Sequence, residues 1–579
     1  MSSSLHLNPR RALVLVLAVA ALASLTSLET APLIDWDENM QSGVARQVML
    51  SGDVLQLRLN GQPFTEKPPL FFLEMAGVFK LFGVSEVSAR MTSAINGLLF
   101  LTALFWIARY LMDTEAATLW TLMYASSLLP LVLSRAAIVE HTFNALMALG
   151  ALCLVAYDES LSRALARGAN SAGRGAFARG EHWAWLLAAA LALGLAVLAK
   201  GPSGGAVPLV AFGAYKAVRR GAPLHLGHWV VCGALALAVA LSWYGANYLF
   251  HGGVFIKEFA RFMGWEFSRR VQGHGGPFYY HWVAALVGLF PWTPLLLLYL
   301  LRDVREAVLR NRLGPAWIGL GVGWAGFVLI VFSIVTTKLP HYSSGIYVPL
   351  TMLAALALQG VARIRGRIPV WLAAALALYG LLLAAGMAVL PYTMAELAQG
   401  VGAGLDPAPA VPATAFVPGA ILGAGIVVGA VLLGWGRTLT GVAVTAVTMG
   451  AFIVGVWRVH LPLFAEYNQG PVIALMDEAY RNGGELATYK NVSYAVLFYG
   501  CRGNDLVTDC RDVDMVGTEK FAGDAARLDT PGQLPLYVIT SRVHVAELAT
   551  EHPQLRLVRS LGELAMYRLP ARSELPRRP

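Results

Sequence analysis

The sequence predicts a polytopic α-helical membrane protein with about thirteen spans and a small α/β domain at its C-terminal end. Three observations predict it. Of 579 residues, 57% are apolar and only 14% charged, and the mean hydropathy is +0.58, against about 25% charged in soluble domains. The apolar residues fall in runs near the roughly 20 residues that a helix needs to cross a bilayer. After residue 458 the chain turns polar and its apolar residues come in short stretches. These features exclude a soluble globular enzyme, a disordered chain and a coiled coil. They also exclude a bilayer barrel, whose strands alternate polar and apolar.

The spans are read at about 12–28, 88–108, 115–133, 138–157, 183–199, 203–217, 229–249, 281–301, 315–335, 346–362, 369–390, 414–435 and 439–457. The first follows Arg10 and Arg11. It is long for a signal peptide and has no clear small-x-small cleavage site after it, so it reads as a retained anchor. Lys and Arg orient the bundle. With the N-terminus inside, the inward loops carry 18 of them, and the short outward loops carry only Arg135, Lys200 and Lys338. The net charge of +9 therefore marks inner loops rather than a nucleic-acid surface. The odd span count places the tail, 459–579, outside.

Two outward loops are long, 29–87 and 250–280. The first holds amphipathic helices at 38–51 (Met40, Val44, Val48, with Gly52 as the stop) and 69–82 (Leu70, Phe71, Phe72, Phe79, Phe82). In the tail, 493–500 and 534–540 read as apolar strands and 470–482 as a helix. Cys153 and Cys232 lie within apolar runs. Cys501 and Cys510 fall in the tail, and an oxidising compartment would allow them to pair; two free thiols are the alternative. No Cys-x-x-Cys is present, which argues against a zinc ribbon or an iron–sulfur cluster.

The span interiors are nearly free of charge, unlike a transporter's midplane site. The polar clusters gather on the outward side. Asp35-Trp36-Asp37-Glu38 follows the first span; Asp37 could cap the next helix, but a cap needs one such residue, not three carboxylates around a Trp. Glu66-Lys67-Pro68-Pro69 sets a cation before a helix N-terminus, a ready anion site. Arg135 and Glu140 stand in a tight turn, where pairing is the plain reading. Lys200-Gly201-Pro202 ends an apolar span, where snorkelling is the plain reading. The loop 250–280 carries Lys257, Glu258, Arg261, Glu266, Arg269, Arg270 and His274 among aromatics, and Lys338-Leu339-Pro340-His341-Tyr342 follows a later span. Cations at a lipid boundary suit a lipid-linked phosphate, held by Arg as a fork and by Lys as a point charge.

These elements, with Leu198-Ala199-Lys200-Gly201-Pro202 and Ser333…Lys338-Leu339-Pro340…Tyr342, resemble the GT-C glycosyltransferases that use polyprenyl-phosphate sugars. The resemblance is to the protein O-mannosyltransferase superfamily, and within it to the lipid A 4-amino-4-deoxy-L-arabinose transferases. It spans essentially the whole chain. It implies inverting transfer of a sugar, 4-amino-4-deoxy-L-arabinose, from undecaprenyl phosphate to a lipid A phosphate. The site and the tail would face the periplasm of a bacterial inner membrane. It makes Asp37 the central carboxylate, with Asp35 beside it and Glu140 as the second acid. It places Lys67, Arg270 or Arg269, Lys200, Lys338 and Tyr342 on the donor phosphate. A divalent zinc or magnesium ion near this loop would take Glu66 and His274, and two ligands alone define no site. The alternatives are a protein O-glycosyltransferase of the same superfamily, a polyprenyl-lipid flippase, and a lipid sensor working through its tail.

Overall fold

The computed structural model describes residues 8–170, 180–219, 221–270, 274–311, 313–400, 410–491, 493–500, 513–518 and 523–574. Cys501 and Cys510 lie outside them. Cys153 and Cys232 are buried free thiols.

α1 (Pro9–Leu25) starts at Asn8, whose side chain accepts the Arg10 and Arg11 N–H groups. The first long loop holds α2 (Asp37–Ser51), a ribbon of β1 (Arg58–Leu59) and β2 (Gln62–Pro63), and α3 (Leu70–Phe82). α2 buries the expected stripe of Met40, Val44 and Val48 and ends at Gly52, whose φ of +68° closes the last turn. α3 buries Phe71, Phe72, Met75 and Phe79.

Then come α4 (Glu86–Leu111), α5 (Thr114–Ser126), α6 (Leu128–Leu133), α7 (Glu140–Asn170), α8 (Glu181–Lys200), α9 (Ser203–Val218) and α10 (Leu226–His251). The second long loop is not loop throughout. α11 (Val254–Ser268) lies in it, with Phe255 and Phe259 inward and Trp265 and Phe267 exposed. α12 (Tyr280–Gly288) breaks before a 3-10 stretch, Thr293–Leu300. α13 (Arg302–Arg310), α14 (Gly314–Ile334), a 3-10 segment Pro340–Ile346, α15 (Tyr347–Arg365), α16 (Val370–Gly400), α17 (Val417–Gly434) and α18 (Thr438–Asn468) complete the bundle.

Among the described residues nine helices are long and apolar enough to cross a membrane. α12 with Thr293–Leu300 makes a tenth if that pair, bent by 100°, is one span. The other three predicted spans fall on shorter helices: α1 with 17 residues, α9 with 16, and the broken pair α5 and α6 with 13 and 6. The chain is a multi-span membrane protein.

The domain boundary predicted at 458/459 falls inside α18, which runs on to Asn468. Beyond it stand α19 (Gly470–Arg481), β3 (Glu485–Tyr489), α20 (Ala495–Tyr499), β4 (Asp514–Val516), β5 (Leu536–Ser541), α21 (Val545–Glu551), β6 (Arg556–Leu561) and β7 (Leu564–Leu569). The sheet order is β4-β3-β5-β7-β6, with β3 parallel to β4 and β5, and β7 antiparallel to both its neighbours. The strand expected at 493–500 is instead the helical turn α20. A short apolar run fits either element. Here Ala495, Val496, Leu497 and Phe498 are all buried against the bundle, and the Arg46 guanidinium of α2 donates to the carbonyls of Leu497 and Phe498. That satisfies the carbonyls a helical turn leaves open.

Candidate active site

Six sequence segments converge on one cluster. Asp37 is the first residue of α2, whose N-cap position is Trp36. Its carboxylate lies 3.8 Å from the Lys67 ammonium and 3.8 Å from His341 Nε2. The same His341 nitrogen is 3.7 Å from Glu140 Oε1, which accepts a hydrogen bond from Lys200 Nζ at 2.8 Å. The Lys200 ammonium stands 4.9 Å from the centre of the Tyr342 ring, and the Tyr342 hydroxyl donates to Glu266 at 2.6 Å.

The local folding reasons are specific. Pro68 and Pro69 precede α3 and hold Lys67 outside the helix. Lys200 is the last residue of α8 because Gly201 turns the chain at φ +86°. A Cβ at Gly201 would come within 2.7 Å of the Phe259 ring, so glycine is required on both counts. Burial opposes the charge of Lys67, but Asp37, Glu140, Glu266 and Glu66 outweigh it and raise its pKa above the ordinary value. It stays a cation at neutral pH. Among the described residues its ammonium makes no direct hydrogen bond, which leaves its donors for a ligand.

A cavity of about 200 Å³ opens onto this cluster, lined in part by Trp36, Asp37, Glu66, Lys67, Glu266 and His274. A larger one of about 670 Å³ lies among Asp113, Arg163, Arg310 and Arg363, and none of the predicted site residues lines it. Glu66 and His274 thus share a cavity wall. Among the described residues no three His, Cys, Asp or Glu side chains are grouped to hold a metal ion.

Four expected site residues stand elsewhere. Asp35 faces the C-terminal domain: it accepts the Ser493 hydroxyl at 2.8 Å and the Ala495 N–H at 3.0 Å. Burial raises its pKa against the opposing pull of these bonds. Lys338 donates to the carbonyls of Phe332 and Ser333, which places its charge at the C-terminal end of α14. Arg269 and Arg270 are exposed after α11; Arg269 lies near the Trp265 ring and Arg270 runs along Gly275. The pairing of Arg135 with Glu140 does not form either, because the Arg135 guanidinium donates to the carbonyls of Ala23 and Thr26 and covers the Trp457 ring.

Two residues escaped the sequence reading. His341 joins both carboxylates, and its signal was its place between Lys338 and Tyr342. Arg90 holds Glu38 with two hydrogen bonds, 3.1 and 2.9 Å, and also donates to the carbonyls of Leu28, Ala31 and Pro32. Nothing local to α4 marks Arg90, because its partners stand more than fifty residues away. Trp36, between Asp35 and Asp37, has φ +76° and ψ −105°, a conformation that costs a non-glycine residue about 1–3 kcal/mol.

Comparison with known proteins gives the fold and the relatives of the chain. Two crystal structures of ArnT from Cupriavidus metallidurans, one bound to undecaprenyl phosphate and one in the apo state, match 97% of this chain and 99% of theirs. The TM-score is 0.72 for both, at 21% and 22% identity. The chain has the fold of these two structures. Residues 15–254 match the family model of dolichyl-phosphate-mannose-protein mannosyltransferase. An undecaprenyl phosphate-alpha-4-amino-4-deoxy-L-arabinose arabinosyl transferase of Edwardsiella ictaluri is 25% identical over 326 residues, 55% of this chain and 54% of that protein. A transferase of the same name from Aeromonas salmonicida is 26% identical over 387 residues, 65% of each. The chain spans little more than half the length of the first of these curated relatives.

Proposed function

We propose that the protein is an inverting glycosyltransferase that moves a sugar, 4-amino-4-deoxy-L-arabinose, from undecaprenyl phosphate to a phosphate of lipid A at the periplasmic face of the inner membrane. The observation that carries this reading is the Asp37 carboxylate beside Lys67 and His341 at the edge of a cavity, with Lys200 paired to Glu140 next to them. The relatives' names supply the donor class; the lipid A acceptor comes from the family resemblance of the sequence motifs.

The chemistry follows from the residues. An acceptor oxygen attacks the anomeric carbon as the bond from that carbon to the undecaprenyl phosphate oxygen breaks, and the lipid phosphate departs with the electron pair. Lys67, a buried cation that makes no hydrogen bond among the described residues, stabilises the charge growing on that phosphate. Lys200 is held by Glu140 and supports the field. A lipid A phosphate is already ionised and needs no base, so Asp37 positions it or stabilises positive charge at the anomeric carbon. The family model matched over 15–254 favours a second reading, a protein hydroxyl acceptor, in which Asp37 must take the proton. The lipid flippase is not favoured, since the cluster gathers at one cavity instead of lining a path.

Purified protein incubated with the undecaprenyl-phosphate aminosugar and either lipid A or a Ser/Thr peptide is expected to modify lipid A, read by mass spectrometry. Modified peptide alone would select the second reading, and no product from either acceptor would overturn both. Lys67→Ala is expected to raise the donor KM and lower kcat, since a charge-assisted bond is worth about 1.5–3 kcal/mol. Arg270→Ala, on an exposed side chain, is expected to change both less. Wild-type kinetics for Lys67→Ala would remove the phosphate site. For topology, alkaline phosphatase fused after residue 470 and β-lactamase fused after residue 540 are both expected to be active; silence of both would place the tail in the cytoplasm.

A further inference from the structure

Trp36 has features that a spacer between two carboxylates does not require. Its backbone is left-handed at φ +76° although it is not glycine. Its indole is 38% exposed, whereas Trp120, Trp292, Trp317 and Trp324 are fully buried. It lines the same cavity as Asp37 and Lys67.

The turn explains how neighbouring residues reach different partners. Asp35 is locked to the C-terminal domain through Ser493 and Ala495, and it also accepts the N–H of Trp36 at 2.9 Å. Asp37 points to Lys67 and His341. The reversal between them leaves the indole on the cavity wall. Two more rings stand beside it: Tyr494, from the C-terminal domain, with its centroid 5.4 Å away and tilted by 55°, and His274, 6.3 Å away and edge-on at 80°. Three segments remote in sequence each bring one ring to one small cavity.

We propose that Trp36 is the platform on which the ring of the transferred sugar packs, and that Tyr494 supplies the second wall, so that the C-terminal domain completes the donor site. This rests on the donor reading above and adds how the site tells a sugar-loaded lipid from bare lipid phosphate. A sugar ring presents a C–H face that sheds water onto an indole, while its hydroxyl or amino groups stay at the rim. Glu66 and Glu266 line the same cavity and can accept from those rim groups. Lys67 meets the phosphate of both lipids. An uncharged aromatic face adds affinity for the sugar alone.

The test compares binding of undecaprenyl phosphate with binding of undecaprenyl-phosphate 4-amino-4-deoxy-L-arabinose to the full-length protein in detergent. Wild type is expected to prefer the sugar-loaded lipid by about tenfold. Trp36→Gly is the informative variant, because glycine accepts the left-handed backbone without strain. It is expected to melt no lower than wild type and keep its affinity for the bare lipid, with the preference reduced to near one. Trp36→Phe is expected to retain part of the preference, and Tyr494→Ala to lose most of it. A merely structural role for Trp36 would weaken both lipids together and leave the ratio unchanged. An unchanged ratio in Trp36→Gly overturns the proposal; if that variant does not fold, an unchanged ratio in Tyr494→Ala does so. Equal binding of the two lipids by wild type overturns it while leaving the donor reading standing. Binding of neither lipid by wild type removes the donor reading and this proposal with it.

Discussion

The Asp37→Asn protein is expected to fold and melt like wild type while turning over at least about 100-fold more slowly. Asparagine caps a helix nearly as well as aspartate, so a capping role would leave activity intact. The structure sharpens the contrast, because Trp36 and not Asp37 holds the N-cap position of α2, and the Asp37 carboxylate stands between Lys67 and His341. Removing its charge takes a carboxylate away from the Lys67 ammonium, and little of the fold depends on it. Asp35→Asn is expected to be milder in turnover, since Asp35 binds Ser493 and Ala495 instead of facing the cluster. The measurement is kcat with a melting curve for each variant. A well-folded Asp37→Asn protein with wild-type turnover would refute the active site drawn here.

The second large effect is on stability. Arg90→Leu is expected to cost about 3–5 kcal/mol, the usual result of removing one partner from a buried ion pair. Arg90 and Glu38 are almost wholly buried, and the guanidinium also ties down the carbonyls of Leu28, Ala31 and Pro32. Glu38 accepts the N–H groups of Ile34 and Ala137 at 2.8 Å as well. The pair therefore joins the end of the first loop's extended stretch to α4 and to the turn before α7. In Arg90→Leu the Glu38 charge would be left without its counter-ion. The double variant with Glu38→Leu is expected to regain part of the loss, but only part, because the two N–H groups then lose their acceptor. A melting temperature for Arg90→Leu equal to that of wild type would show that the pair does not hold this segment.

What was legible in the sequence depended on range. α2 and α3 could be read because period and stop signals are local: Met40, Val44 and Val48 at helical spacing and Gly52 at the end. Asp37, Lys67, Glu140, Lys200 and Tyr342 could be nominated because each stands at a span end with an unusual polar neighbour. The helical turn at 495–499 could not be read, since what selects helix there is Arg46, some 450 positions away, binding its last carbonyls. For the same reason Arg135 and Glu140 looked like a pair. Their true partners, the carbonyls after α1 for one and Lys200 for the other, come from other helices. Asp35 and Lys338 had the right chemistry for the cluster and were drawn off by nearer acceptors and donors.

The contacts of the C-terminal domain constrain the chain's path by parity. Asp35 meets Ser493 and Ala495, Arg46 meets Leu497, and Asn60 exchanges two hydrogen bonds with Val513. Residues that touch in this way sit on one side of the bilayer, so the number of crossings between residue 60 and residue 493 must be even. The nine helices that pass the length and hydropathy test all lie in that interval, and nine is odd. An even count therefore requires either that one of the nine does not cross or that an element outside the nine does. Counting the bent pair Tyr280–Gly288 and Thr293–Leu300 as one crossing gives ten. If all ten cross, the broken pair α5 and α6 and the 16-residue α9 cross together or not at all. The hydrogen bonds of Asp35 and Asn60 thus couple the topology of helices hundreds of residues away, whichever side of the membrane the two ends share.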